Sequence, residues 1–190
     1  AHRPGSVGKP LPHARVQIID GEICVDGVRC LGYLGEQGPP PGPIATGDLG
    51  HIDDDGFVHV TGRRKNVFIT AFGRNVSPEW VESELLQHHA LAQVVVSGEA
   101  RPSNVAVVWP RRADLDDAGI RRALDEVNAG LPDYARVSDF VRAERPFSAD
   151  DGLLTANGRP RREAILARYA DAIDRRYHAS PSLSPHETTA

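Results

Sequence analysis

The sequence of 190 residues contains no methionine, so the chain is expected to begin inside a longer reading frame. No apolar run approaches the roughly 18 residues needed to span a bilayer, and no charged and then apolar leader is present. We therefore predict no membrane span and a cytoplasmic location. The net charge of -4 gives no general reason to expect a nucleic acid or an anionic membrane surface as a partner.

Cysteine is also scarce, with Cys24 and Cys30 standing on either side of an Asp26-Gly27 turn. A disulfide between them is geometrically feasible. Two cysteines in an intracellular chain are more often reduced core residues, and we favour that interpretation. The eight histidines are scattered along the chain, and a metal site would need more ligands near the two thiols. No metal site is predicted.

The composition, with 40% apolar and 25% charged residues, is that of an ordinary globular protein. The first part of the chain, to about Val60, consists of short β-rich runs separated by turn signals, which predicts an antiparallel β-subdomain. The proline-rich residues 35–47 are expected to form a loop. The predicted strands are residues 14–19, 22–25, 31–34, 50–52 and 57–60.

The second part predicts a small α+β domain with a mainly antiparallel sheet and flanking helices. Its first helix has Ser77 as N-cap and Pro78 at the first helical position, where the missing N–H costs nothing. Residues 177–190 lack apolar periodicity and are expected to form a disordered tail. The predicted helices are residues 77–89, 116–128 and 161–170, and the predicted strands are residues 66–70, 91–97, 104–109 and 138–142.

Two short segments imitate ligand-binding loops without meeting their requirements. Residues 5–10, GSVGKP, place two residues between the glycines and a proline after Lys9, whereas a Walker loop needs four residues and then Ser or Thr. A calcium-binding loop that starts at Asp53 would need glutamate at its twelfth position, which is Arg64. We interpret the first segment as a loop entering a strand and the acidic run as a solvated hairpin turn.

The candidate chemistry is concentrated between Thr46 and Glu82, where acidic residues give way abruptly to basic ones. The carboxylate of Asp48 suits a ribose, whose two vicinal hydroxyls can each donate to one carboxylate oxygen. Arg63 follows a hairpin that can bring it close to Asp48, and its planar guanidinium suits the ribose or phosphate side of a nucleotide. The sequence also allows Asp48 to be no more than an exposed turn residue.

Three ordered motifs resemble those of the adenylate-forming (AMP-binding) superfamily, which includes acyl-CoA synthetases, adenylation domains and luciferases. They are TGD at residues 46–48, GRRK at residues 62–65 and GRNVSPEWVE at residues 73–82. The chain is most similar to the C-terminal portion of an acyl-CoA synthetase. This resemblance implies that residues 1–64 are the β-rich end of a large N-terminal adenylate-binding domain and residues 65–176 a mobile C-terminal domain.

The resemblance also implies roles for individual residues. Asp48 and Arg63 would bind the nucleotide, and Lys65 would be the hinge between the domains. Gly73 would lie by the pantetheine tunnel, and Arg136 would contact the 3′-phosphate of CoA. The last family motif usually carries a lysine that stabilises the charge shared by the carboxylate and the α-phosphate, and Arg159 stands in its place. A plain turn at Gly73 and a basic surface loop at Arg159 remain alternatives.

In function, the resemblance implies a ligase that uses ATP and Mg²⁺ to convert a carboxylic acid, expected to be a fatty acid, into an acyl-AMP and then a CoA thioester. The partner of this chain would be its own missing N-terminal domain, and the isolated chain is expected to be inactive. Three alternatives stay open: an adenylation domain that loads a carrier protein, an acyl-AMP ligase, and a non-catalytic binding module derived from the family.

Overall fold

A computed structural model describes residues 3–27, 32 and 42–179 of the chain. The chain divides into two compact units. The first unit comprises Ala1–Phe68 and Asn75–Trp80, and the second comprises Ile69–Arg74 and Val81–Ala190. Of the predicted strand at residues 31–34, only Gly32 is described, and Cys30 lies outside the described residues. Cys24 is buried and its thiol is free.

The first unit is built on a four-stranded antiparallel sheet in the order β1-β2-β3-β4. The third strand starts earlier than the predicted residue 50, because the chain from Ile44 onward already pairs with the second strand. The hydroxyl of Thr46 reinforces this pairing by donating to the carbonyl of Ile23 at 2.7 Å. The strands are β1 (Arg15–Ile19), β2 (Glu22–Asp26), β3 (Ile44–Ile52) and β4 (Val58–Arg63).

The hairpin between β3 and β4 turns at the acidic run, as the Asp-Gly signal predicts. Gly56 has φ +81, and its N–H donates to the carbonyl of Asp53 at 2.8 Å. The Asp53 side chain is only 16% exposed, so it is not a solvated turn residue. Its carboxylate accepts hydrogen bonds from the N–H groups of Asp55 and Phe57, and it contacts His59 at 2.9 Å.

The segment that follows β4 differs in part from the predicted strand at residues 66–70. A 3₁₀ helix at Arg64–Asn66 comes first, and a two-residue strand β5 (Phe68–Ile69) follows. The strand β6 (Asn75–Val76) leads into helix α1 (Pro78–Gln87), which begins with proline as predicted.

The second unit contains a three-stranded sheet in the order β7-β8-β9. Strands β7 and β8 are antiparallel, whereas β9 is parallel to β8 because helix α2 provides the crossover between them. The predicted α+β class is therefore confirmed, and the pairing is antiparallel throughout the first sheet but includes one parallel pair, β8–β9, in this one. The elements are β7 (Leu91–Ser97), β8 (Asn104–Pro110), α2 (Asp117–Asn128) and β9 (Val137–Arg142).

Two helices end the described chain where the sequence predicted one helix and a tail. They are α3 (Arg162–Arg168) and α4 (Ala170–Ala179). The break falls at Tyr169, whose side chain is 7% exposed. The predicted tail is wrong for residues 177–179, because the hydroxyl of Tyr177 donates to the carbonyl of Ser103 at 3.0 Å and α4 continues. Residues 180–190 lie outside the described part of the chain.

The core of the second unit lies between its sheet and the last two helices. It is formed by valines from all three strands and by apolar side chains of α3, α4 and the segment before them, among them Val95, Val107, Val141, Phe147, Leu153, Ile165 and Ile173. The side-chain amide of Gln93 on β7 also binds the backbone of Phe147 in both directions, at 3.0 and 2.7 Å. No helix in the described ranges is long and apolar enough to cross a membrane.

Candidate functional site

Asp48 and Arg63 are direct neighbours in the first unit. They are Cα partners in the β3–β4 ladder, and Arg63 Nε lies 2.8 Å from Asp48 Oδ1. The side chains are 29% and 49% exposed respectively, so the ion pair is accessible to a ligand. The hairpin therefore brings together the two residues that the sequence predicts to meet, and the nucleotide-binding roles of both remain a prediction.

Glu22 supports this corner of the sheet and was missed by the sequence reasoning. Its carboxylate accepts the N–H of Gly47 at 2.8 Å and pairs with Arg64 Nη1 at 2.5 Å. The Arg64 guanidinium, followed by the Gly47 N–H, lowers the pKa of the Glu22 carboxyl below its usual range. Gly47 itself has φ +76, a conformation that glycine adopts without strain. The only signal in the sequence was an acid at the start of an apolar strand.

A groove of about 230 Å³ lies beside Asp48 in the first unit. Small-molecule sites usually enclose about 300 to 1,000 Å³, so this groove is smaller than a typical complete site. Its lining is largely aliphatic and includes Val16, Ile23, Val58 and Val60, with Lys9, Thr46 and Asp48 as polar residues.

Lys65 lies in the exposed 3₁₀ helix that follows β4. Two hydrogen bonds hold the chain on either side of Lys65. The hydroxyl of Ser77 donates to the carbonyl of Thr61 at 2.7 Å, and the side-chain amide of Asn66 donates to Glu79. Gly62 has φ +154, and a Cβ there would overlap Ser77 Oγ. The hinge role of Lys65 is not tested by these contacts.

Gly73 lies in a tight turn in the second unit. The turn is closed by hydrogen bonds from the Thr70 N–H to the Arg74 carbonyl and from the Gly73 N–H to the Thr70 carbonyl, both at 2.9 Å. Gly73 has φ +73, and no described atom lies within 4 Å of the position that a Cβ would occupy. The side chain of Phe72 beside it is 74% exposed. The backbone at Gly73 is thus open to approach from that direction.

Arg136 is exposed and holds the turn that follows α2. Its Nε donates to the carbonyl of Leu131 at 3.0 Å, and its own carbonyl accepts from Asn104 at 3.0 Å. Asn104 is 1% exposed and also donates to the carbonyl of Tyr134 at 2.9 Å. Arg136 therefore has a structural partner in addition to the CoA contact predicted from the sequence.

Arg159 lies at the end of a tight turn in the second unit. Its backbone is fixed to Thr155, which accepts the Arg159 N–H on its hydroxyl at 3.0 Å and donates its own N–H to the Arg159 carbonyl at 2.8 Å. Within residues 3–27, 32 and 42–179, no group forms a hydrogen bond or an ion pair with the Arg159 guanidinium. The cation is exposed and available to a ligand.

The sequence reasoning also missed an ion pair between the last residues of two motifs. Arg162 Nη2 lies 2.7 Å from both carboxylate oxygens of Glu82, and the two side chains are 20% and 10% exposed. Both residues stand at motif ends in the sequence, but 80 positions separate them. No group of three or more His, Cys, Asp or Glu side chains in the described part of the chain is placed to hold a metal ion.

The family of the chain follows from comparison with known proteins. Residues 65–181 match the family model of the AMP-binding enzyme C-terminal domain. The chain therefore belongs to the AMP-binding, adenylate-forming enzymes, and the resemblance seen in the motifs is confirmed.

Relatives of known name include a long-chain-fatty-acid–CoA ligase, FadD15 of Mycobacterium tuberculosis, which is 32% identical over 92% of this chain. The medium/long-chain-fatty-acid–CoA ligase FadD8 of the same organism is 30% identical over 90% of this chain. The chain covers 34% and 33% of these two proteins, about a third of their length.

Solved structures of similar fold include the adenylation and carrier didomain of a carboxylic acid reductase from Segniliparus rugosus. The TM-score is 0.73 at 22% identity, with 89% of this chain and 28% of that chain covered, so the likeness concerns the fold. O-succinylbenzoate coenzyme A synthetase from Bacillus subtilis is 29% identical with a TM-score of 0.57, over 74% of this chain and 34% of that chain.

Proposed function

We propose that this chain forms the C-terminal part of the catalytic unit of an AMP-forming ligase that joins a fatty acid to CoA. The observation that carries the proposal is the ion pair between Asp48 and Arg63 at the end of an accessible hairpin. Residues 1–64 would complete the nucleotide-binding domain, and residues 65–176 would form the mobile domain. The groove beside Asp48 is compatible with this division, since it is smaller than a typical complete site.

In the first half-reaction, a carboxylate oxygen of the acid attacks the α-phosphate of MgATP. The new bond gives the acyl-AMP, and the bond to pyrophosphate breaks. Asp48 accepts hydrogen bonds from the ribose hydroxyls. These bonds are stronger because the accepting carboxylate is charged. Arg63 orients that carboxylate, because its guanidinium lies within ion-pair distance. Mg²⁺ would be held by the phosphates of the nucleotide and would neutralise part of their charge.

Arg159 supplies a cation to the same half-reaction. The charge that develops on the carboxylate and the α-phosphate is stabilised by a preorganised cation more than by water. In that role an arginine guanidinium can donate two parallel hydrogen bonds to phosphate oxygens. The exposed guanidinium and the fixed backbone of its turn support this assignment.

In the second half-reaction, the thiol of CoA attacks the acyl carbonyl, and AMP leaves. Lys65 is the hinge that lets the second domain serve both steps, since a hinge needs few residues to absorb the backbone change. Gly73 borders the path of the pantetheine arm, and Arg136 binds the 3′-phosphate. The names of FadD15 and FadD8 support CoA as the acceptor and a fatty acid as the substrate.

The test is ATP–pyrophosphate exchange by the intact gene product with a panel of fatty and aryl acids, followed by addition of CoA. We expect exchange with fatty acids and release of acyl-CoA and AMP once CoA is present. Thioester formation on a phosphopantetheinyl carrier but not on CoA would indicate an adenylation domain that loads a carrier protein rather than a CoA ligase. Exchange without transfer to either thiol would indicate an acyl-AMP ligase. Absence of exchange with every acid would contradict the proposal.

A further inference from the structure

The ion pair between Glu82 and Arg162 connects three elements of the second unit. The two Arg162–Glu82 contacts of 2.7 Å form a fork, the geometry in which arginine binds carboxylate most specifically. Glu82 Oε1 also accepts the N–H of Val96 at 2.6 Å, and Arg162 Nη1 donates to the carbonyl of Val96 at 3.0 Å. Helix α1, strand β7 and the start of α3 are therefore fixed to one another at a single point.

The turn that carries Arg159 is stiff within itself. The Gly158 N–H donates to the carbonyl of Thr155 at 2.9 Å, and Leu154 and Pro160 form an antiparallel bridge. The Arg161 N–H then donates to the carbonyl of Leu153 at 2.8 Å. A turn held this way moves as a rigid piece, so the position of its cation is set by whatever anchors the two ends.

The two ends of the turn are anchored by different means. Leu153 is 4% exposed and packs into the core, which holds the first end. The second end joins α3, whose apolar anchor Ile165 enters the core four residues after Arg161. Arg161 itself is exposed and makes no side-chain cap hydrogen bond. Arg162 is the next residue; the fork holds it to Glu82 on α1, and its Nη1 donates to the carbonyl of Val96 on β7.

We infer that Glu82 and Arg162 are positioning residues that hold the Arg159 turn in place for adenylation. The inference rests on the proposed function, because it takes Arg159 as the cation of the first half-reaction. A largely buried ion pair is costly to desolvate, and its removal in favour of apolar residues often leaves stability unchanged or raises it. If the Glu82–Arg162 pair holds the Arg159 turn in place, the pair has a role even without a net contribution to the stability of the fold.

Amide hydrogen exchange tests the positioning without any assay of activity. Glu82→Gln keeps an oxygen for the Val96 N–H and removes the charge, while Arg162→Lys keeps the charge and removes the fork. We expect the amides of Arg161 and Ile165, whose hydrogen bonds join the turn to α3, to exchange about tenfold faster in both variants, because this joint opens when Arg162 loses its fork. Arg168→Gln is the matched control, since Arg168 is an exposed arginine of α3 without a partner in the described residues.

The two half-reactions of the intact gene product test the catalytic consequence. We expect Glu82→Gln and Arg162→Lys to lower the kcat of ATP–pyrophosphate exchange by about 10- to 100-fold, the loss expected for a displacement near 1 Å. Thioester formation from supplied acyl-AMP should stay within about twofold of the wild type, because Arg159 takes no part in that step. Arg168→Gln should leave both rates unchanged.

A double-mutant cycle separates positioning from general stability. In an Arg159→Gln background, Arg162→Lys should reduce exchange by no more than about twofold, because the group that it positions is already absent. The inference would be overturned if the losses of exchange activity in Arg159→Gln and Arg162→Lys multiplied in the double variant. It would also be overturned if Arg162→Lys lowered the rates of both half-reactions equally. Unchanged amide protection in both variants would overturn it whatever the activity. A wild-type protein without any exchange would contradict the proposed function and this role in adenylation, while the amide data would still decide whether the pair positions the turn.

Discussion

Asp48 and Arg63 face each other across adjacent strands, with Arg63 Nε 2.8 Å from Asp48 Oδ1. A pair this exposed contributes at most about 1 kcal/mol to stability, so its placement matters chiefly for what it can bind. The Thr-Gly-Asp and Gly-Arg segments, separated by a hairpin in the sequence, become one surface in the fold.

Replacing Asp48 by Asn should weaken nucleotide binding without unfolding the protein. Hydrogen bonds to a charged acceptor are worth about 1.5 to 3 kcal/mol, which predicts a 10- to 100-fold rise in the KM for ATP in pyrophosphate exchange. Asp54→Asn is the matched control, because Asp54 is an exposed acid of the same hairpin without a partner in the described residues. An equal rise in the KM for ATP in both variants would show that Asp48 does not bind the nucleotide.

Replacing Lys65 by Pro should impair one half-reaction of the intact gene product and spare the other. Proline fixes φ and also disfavours helical geometry in the residue before it, which here is the first residue of the 3₁₀ helix. The segment would then be restricted to a subset of its conformations. Separate assays of pyrophosphate exchange and of thioester formation from acyl-AMP measure the split. Lys65→Ala should retain both rates, and a parallel loss in Lys65→Pro would contradict a hinge.

Gly62 should tolerate alanine less well than Gly56. Both residues have positive φ, which costs about 1 to 2 kcal/mol for a residue with a Cβ. Only at Gly62 would the new Cβ also overlap Ser77 Oγ, whereas no described atom lies near a Cβ at Gly56. Chemical denaturation should therefore show Gly62→Ala to be less stable than Gly56→Ala by about 1 to 3 kcal/mol, the usual cost of overpacking. Equal denaturation midpoints for Gly62→Ala and Gly56→Ala would show that the chain around Ser77 shifts to accommodate the new Cβ at little cost.

The stability of the first unit should depend on the ionisation of Asp53 in acid. His59, the N–H of Phe57 and Arg3 lower the pKa of Asp53 to about 2. A lowered carboxyl pKa stabilises the folded state above the ordinary value of 3.8, and this contribution is lost as the pH falls from about 4 to about 2.

Denaturation curves at several pH values can isolate this contribution. The difference in unfolding free energy between the wild type and Asp53→Asn should shrink between about pH 4 and pH 2. Asp54→Asn is the matched control, since it removes an exposed carboxylate of the same hairpin that has no partner in the described residues. Parallel curves for the two variants would show that His59 does not hold the Asp53 carboxylate in its charged form.

Periodic segments of the fold could be predicted from the sequence alone. Strand β7 spans the predicted residues, and α1 begins at the predicted Pro78, because apolar spacing and proline act locally. The start of β3 could not be predicted, since a glycine at position 47 is typical of a loop. In the fold, Glu22 accepts its N–H from the neighbouring strand, and the strand continues.

The same distinction applies to the candidate site. The approach of Asp48 and Arg63 follows from a short hairpin, so a pattern within twenty residues was sufficient. Glu82 and Arg162 lie 80 positions apart, and their pairing depends on the packing of α1 and α3 against one strand. Nothing in either local sequence specifies that contact, because arginines and glutamates are most often solvated.

Strand β7 lies at one edge of its sheet, a place where unpaired backbone groups commonly recruit a strand from a neighbouring molecule. Here the N–H and carbonyl of Val96 are already taken by two charged side chains, and the segment at Phe147 is bonded to Gln93. The edge is consequently closed to intermolecular sheet extension at Val96, and loss of the charged pair would open it there.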